Sequence, residues 1–110
     1  NDYGILGMNI DDYKYQICYP KEINFFNKNN ININDICCGL NHIILLSNNN
    51  TIYAWGDSRF YQCGIHDEHI LYPYKLNMGF QYYNNIKKIL CTKYSSILLL
   101  YGNNIILFGM

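Results

Sequence analysis

The chain has 110 residues, half of them apolar, and its eight basic and eight acidic side chains cancel to a net charge of zero. That length fits one ordinary domain with material for a core. The neutral balance argues against the clustered Lys and Arg on which binding to nucleic acid or an anionic membrane depends, and the longest apolar stretches, around residues 43–46 and 97–101, are far too short to span a bilayer.

Ile, Tyr and Leu dominate the apolar half and Val is absent. β-Branched and aromatic side chains of this kind favour the half-buried surface of a strand. Asn is as abundant as Ile, which reads as coding bias toward AT-rich codons. The five cysteines (Cys18, Cys37, Cys38, Cys63 and Cys91) are odd in number and irregularly spaced. With no CxxC pair and no secretory leader, the sequence predicts reduced thiols and an intracellular protein, nuclear or cytoplasmic. Adjacent Cys37 and Cys38 point to opposite faces of a strand and do not bond each other.

In chain order, Gly4-Ile5-Leu6-Gly7 comes first, followed by a predicted loop holding Asp11 and Asp12, and then by Ile17-Cys18-Tyr19-Pro20. His42 to Ser47 is a predicted strand, Asn48-Asn49-Asn50 a turn, and Thr51 to Trp55 the returning strand. Asn and Gly suit such turns because they tolerate positive φ. His66-Asp67-Glu68-His69 reads as a solvent-exposed loop, Lys87-Lys88 as a solvated strand end or loop, and a second hairpin turns at Gly102-Asn103. Continuous apolar runs of strand length mean that both faces are covered. Helix has little support, because the runs are short and lack a 3.6-residue period.

The hairpins are copies of one another. Ile36-Cys37-Cys38-Gly39 through His42 to Tyr53-Ala54-Trp55-Gly56 superimposes without a gap on Ile89-Leu90-Cys91-Thr92 through Ser95 to Ile106-Leu107-Phe108-Gly109, at a shift of 53. The same shift carries Ile17-Cys18-Tyr19-Pro20 onto Ile70-Leu71-Tyr72-Pro73, whereas Gly4–Gly7 matches Tyr61–Gly64 at 57. The extra residues fall in the loop of Asp11 and Asp12, where insertion is tolerated.

The segment from Ile36 through Gly39 and His42 to Leu46 resembles the signature of the regulator of chromosome condensation repeat family. The likeness continues in Trp55-Gly56-Asp57, in Gln62-Cys63-Gly64 and in Pro73. The second copy departs from it, with Thr92 for Gly39, Ser95 for His42 and Phe108 for Trp55, and keeps Gly109 for Gly56. The resemblance implies an all-β propeller segment of about two blades of short antiparallel strands. It divides residues 1–110, a single segment, into a first repeat of about 1–56 and a truncated second of about 57–110. Propellers close with roughly four to eight blades, so the chain reads as an excised portion of a longer propeller whose remaining blades are its first partners.

Gly39, His42, Trp55, Gly56, Gly64 and Gly109 are the candidate motif residues, with structural roles. His42 with Cys37 or Cys38 falls short of the four converging ligands of a zinc site. The resemblance makes it instead a buried imidazole bonding backbone where blades meet. Trp55, Tyr53 and Phe108 fill the space between blades, and the glycines mark close backbone approach or positive φ. No phosphate loop or nucleophile–base motif occurs, so neither catalytic residues nor a cofactor or metal is expected. Three functions follow from the resemblance: a protein-interaction scaffold, guanine nucleotide exchange on a Ran-type small GTPase, and a regulatory propeller appended to a ubiquitin ligase or kinase.

Overall fold

The computed structural model describes residues 22–77 and 86–109. The segments holding Gly4–Gly7, Asp11, Asp12 and Ile17–Pro20 lie outside the described residues. Among those described, the elements run α1 (Phe25–Lys28), β1 (Ile33–Cys38), β2 (His42–Ser47), β3 (Ile52–Ser58), β4 (Asp67–Lys75), β5 (Ile86–Cys91), β6 (Ser95–Leu100) and β7 (Ile105–Gly109). They form two antiparallel meanders, β1-β2-β3-β4 and β5-β6-β7. The fold is the all-β one expected, two blades of short strands. The first sheet draws β4 from beyond Gly56, so it crosses the point where the sequence period restarts.

The 53-residue shift is visible atom by atom. It carries β1 onto β5, β2 onto β6 and the first part of β3 onto β7. Asn50 and Asn103, one shift apart, both sit at positive φ, 62° and 67°. The turn bond from Ser47 N to Thr51 O (2.9 Å) recurs from Leu100 N to Asn104 O (2.8 Å). Gly39 N bonds His42 O at 2.9 Å, and Thr92 N bonds Ser95 O at 3.0 Å.

Strand register fixes which face each side chain occupies, because directly paired residues share a face and neighbours alternate. Cys37 pairs with Ile44 and Ile44 with Ala54, while Ile43 pairs with Trp55 and Leu45 with Tyr53. The first set, with His42 and Leu46, faces the second blade. The second set faces α1, whose Phe26 ring lies 5.4 Å from Tyr53 and 5.8 Å from Trp55. β2 is therefore almost wholly buried and β3 completely so. In the second blade Ser96, Leu98 and Leu100 are buried, whereas the alternate residues Ile97 and Leu99 are only half-buried and Leu107 is 66% exposed.

Two sequence expectations are corrected. A helical turn does form, α1, because docking Phe25 and Phe26 on Tyr53 outweighs a local sequence with no helical period. Asp67, Glu68 and His69 are not loop residues but the start of β4, where their side chains stay exposed. β4 is an edge strand whose register jumps, Ala54 pairing with Tyr74 and Gly56 with Ile70. Pro73 falls inside that jump, where no ladder N–H is required of it. Lys87 and Lys88 lie on β5 with exposed side chains.

Candidate functional site at the blade junction

The blades meet where β2 faces β6. His42 is buried, and its Nε2 lies 3.0 Å from Ser96 Oγ. The Ser96 hydroxyl has one proton and donates it to Gln62 O at 2.6 Å. His42 must then donate from Nε2, which in the neutral ring leaves Nδ1 as a bare acceptor; that atom is buried without a hydrogen-bond partner. Three segments are tied by this chain: β2, β6 and the turn between β3 and β4. Leu40 N adds a backbone bond to Lys93 O at 3.2 Å. His42 thus stands at the junction, and its partner is the Ser96 side chain rather than backbone.

Gly39 belongs to the same site. A Cβ there would lie 2.0 Å from His42 Cε1 and 2.6 Å from Thr92 O. The second blade carries Thr92 at the equivalent place because Ser95 replaces the imidazole, and the two hydroxyls bond each other. Gly56 and Gly109 have φ of 104° and 113°, and a Cβ at either would meet the backbone of residues 41–42 or 94–95. Gly64 closes the turn beside Leu76, also at positive φ. Trp55 is buried on the far face beside Phe26, and Phe108 is half-buried on the face toward the first blade.

Residues 57–65 form a self-pinned turn. Gln62 Oε1 accepts from Phe60 N at 2.8 Å and Ser58 Oγ accepts from Cys63 N at 3.0 Å. Tyr61 takes φ of 64°. Asp57 accepts from Arg59 Nε through Oδ1 and from Nη2 through Oδ2, each at 2.9 Å. Burial alone would raise the Asp57 pKa, but the Arg59 side-chain and backbone hydrogen bonds, with the charges of Arg59 and His69, outweigh it and hold the carboxyl below its usual range. A carboxylate with a depressed folded pKa contributes stability that is present above its unfolded pKa and lost as pH falls through the folded one. Asp57→Asn is expected to cost about 1–2 kcal/mol at pH 7, from the charged hydrogen bonds it weakens. Its stability should fall less between pH 5 and pH 2 than that of the parent, as urea denaturation at each pH would show.

Among the described residues no three or more His, Cys, Asp or Glu side chains are placed to hold a metal ion. Two depressions open to solvent. One, of about 410 Å³, lies between the blades at their turn ends and is lined by Asn34, Asp35, Asn48, Asn50, Lys87 and Tyr101 among others. The other, of about 340 Å³, runs along β4 past His69, Ile70, Tyr72, Pro73 and Tyr74. No helix among the described residues is long and apolar enough to cross a membrane.

Residues 33–62, which contain Gly39, His42, Trp55, Gly56 and Gln62, match the Regulator of chromosome condensation (RCC1) repeat. That stretch carries one RCC1 repeat. A stretch of 57 residues is 30% identical to the serine/threonine-protein kinase Nek9 of Mus musculus, covering 52% of this chain and 6% of Nek9. Yeast RCC1 (Prp20), solved bound to Kap60, superimposes with a TM-score of 0.61 at 24% identity, over 70% of this chain and 18% of that one. Human WBSCR16 gives 0.62 at 13% identity, over 73% and 20%. A structure of Prp20p from Saccharomyces cerevisiae, described with its binding properties to Gsp1p and histones, gives 0.62 at 24% identity, over 70% and 18%. These structures share the fold, and the chain spans only a small part of each relative. Sequence reading missed Ser96 in the junction. The signal was there: the repeat shift puts Ser96, a polar residue, on Ile43 of an apolar strand.

Proposed function

We propose that these RCC1-type blades act as a protein-interaction scaffold, in which the junction residues hold the blades and the open turns and edge strand do the binding. One observation supports this most: His42, Ser47, Asp57, Ser58, Gln62 and Ser96, the polar side chains buried deepest, are engaged in blade-to-blade or turn contacts. The cleft by Lys87 and the β4 groove remain open to solvent. Binding function on a rigid scaffold resides in such displayed segments. Further blades of the same parent are the nearest partners. In the first blade the face of Cys37, Ile44, Leu46, Ile52 and Ala54 is covered by the second blade, and the equivalent face of the second presents Leu90, Ile105 and Leu107 exposed, with Ile97 and Leu99 half-buried, among the described residues.

A second reading is guanine nucleotide exchange on a Ran-type small GTPase, supported by the likeness to Prp20p with its binding properties to Gsp1p. Exchange needs no covalent chemistry, only a face that binds the nucleotide-free state best. A third, a regulatory propeller within a larger enzyme, is supported by the likeness to the kinase Nek9. Capture of nucleotide-free and GTP-loaded Ran-type GTPases by the intact protein separates them. The scaffold reading expects equal, weak capture of both forms. At least tenfold preference for the nucleotide-free form, with accelerated nucleotide release, would replace it with exchange.

A further inference from the structure

Two cysteines face each other across the junction. Cys37 projects from β1 toward the second blade, on the face of its pair mate Ile44, and Cys91 projects from β5 toward the first, on the face of its pair mate Ser96. Their sulfurs are 2.8 Å apart, although the residues lie 54 apart in the chain. That is closer than two sulfurs in simple van der Waals contact, and within about 0.8 Å of the ~2.05 Å disulfide bond. Both are half-buried, so a small oxidant can reach them. The other described cysteines are excluded by placement. Cys38 points to the opposite, exposed face, and Cys63 is sealed in the 57–65 turn.

We propose that Cys37 and Cys91 form a reversible disulfide that staples the two blades together when the protein meets a hydroperoxide. The Cys91 thiolate attacks the peroxide, forming an S–O bond as the O–O bond breaks, and the leaving alkoxide takes a proton to become an alcohol. The Cys37 sulfur then attacks the sulfenic sulfur of Cys91. The S–S bond forms, the S–O bond breaks, and hydroxide leaves as water with the proton from Cys37. Two thiols give up two electrons, and the hydroperoxide is reduced to an alcohol and water.

Cys91, paired with Ser96 at the buried junction, is the attacking sulfur. Hydrogen bonding from Cys37 outweighs the burial that would raise it and holds the Cys91 thiol well below the ordinary thiol value. Burial, by contrast, pushes the Cys63 thiol up to about 12. Thiolate character and access together select the site of oxidation.

The test uses the intact protein treated with tert-butyl hydroperoxide, blocked with iodoacetamide and mapped by mass spectrometry. The expected product is a peptide joined through Cys37 and Cys91, lighter by two hydrogens and released by dithiothreitol. In the untreated protein Cys91 should alkylate at least about tenfold faster than Cys63. In Cys37→Ser the resolving sulfur is gone, and Cys91 should be trapped as a dimedone adduct. Oxidation of Cys91 to sulfinic acid with Cys37 still free, pairing through Cys38, or alkylation of Cys91 no faster than Cys63 would each overturn the proposal. The alkylation rates and the cross-link are read on the unaltered protein, so a poorly folded variant does not blunt the test.

Discussion

Trp55→Ala is expected to destabilise the protein by about 3–5 kcal/mol, the range for emptying a buried aromatic site. Trp55 is 1% exposed and stands on the face of β3 that Phe26 covers, with Tyr53 on the same face. Removing the indole opens a cavity between β3 and α1, and α1 is a single turn held in place by these rings. The turn should therefore loosen along with the loss of stability. Phe108, one repeat shift away, is only half-buried, and Phe108→Ala should cost less, about 1–2 kcal/mol. Urea denaturation of both variants checks the ranking. Equal losses would show that Trp55 does not have the anchoring place in its blade described above.

Gly39→Thr carries the second large effect. The new Cβ would lie 2.0 Å from His42 Cε1, 2.4 Å from Nδ1 and 2.6 Å from Thr92 O. Imidazole or backbone must move, which costs about 3 kcal/mol for overpacking of this kind. The second blade supplies the remedy, since Thr92 stands at the matching position beside Ser95 and the two hydroxyls bond. Gly39→Thr combined with His42→Ser should be less destabilised than the sum of the single changes, by about 1–2 kcal/mol of coupling. The Thr92 O contact remains in either case, so recovery is incomplete. Strict additivity in a double-mutant cycle would show that the glycine is not there to admit the imidazole.

What could be read in the sequence follows physical scale. The hairpin of β2 and β3 and its copy were legible because each is a short apolar run closed by an Asn or Gly turn, and the two copies agree at a shift of 53. The turn of α1 was not legible, since four residues carry no period and what fixes them is Tyr53 and Trp55, far along the chain. β4 was obscured by its exposed, polar start, which reads as a loop until its pairing with β3 is seen. The junction bond of His42 to Ser96 spans 54 residues, a distance over which residue types alone specify no pairing. The facing cysteines were hidden for a further reason. The repeat shift maps Cys91 onto Cys38 rather than Cys37, so the pair joins inequivalent positions that self-comparison does not align.

We propose that these residues are consecutive blades of a propeller scaffold whose open face receives another blade. Leu107 is the sharpest probe of it, being 66% exposed on the face whose counterpart in the first blade is covered. The measurement is the unfolding free energy of Leu107→Asp in the intact protein. A following blade would bury an unpaired carboxylate, and a loss of at least about 2 kcal/mol is predicted. A change within about 0.5 kcal/mol, the usual range for a solvent-facing substitution, would contradict the account.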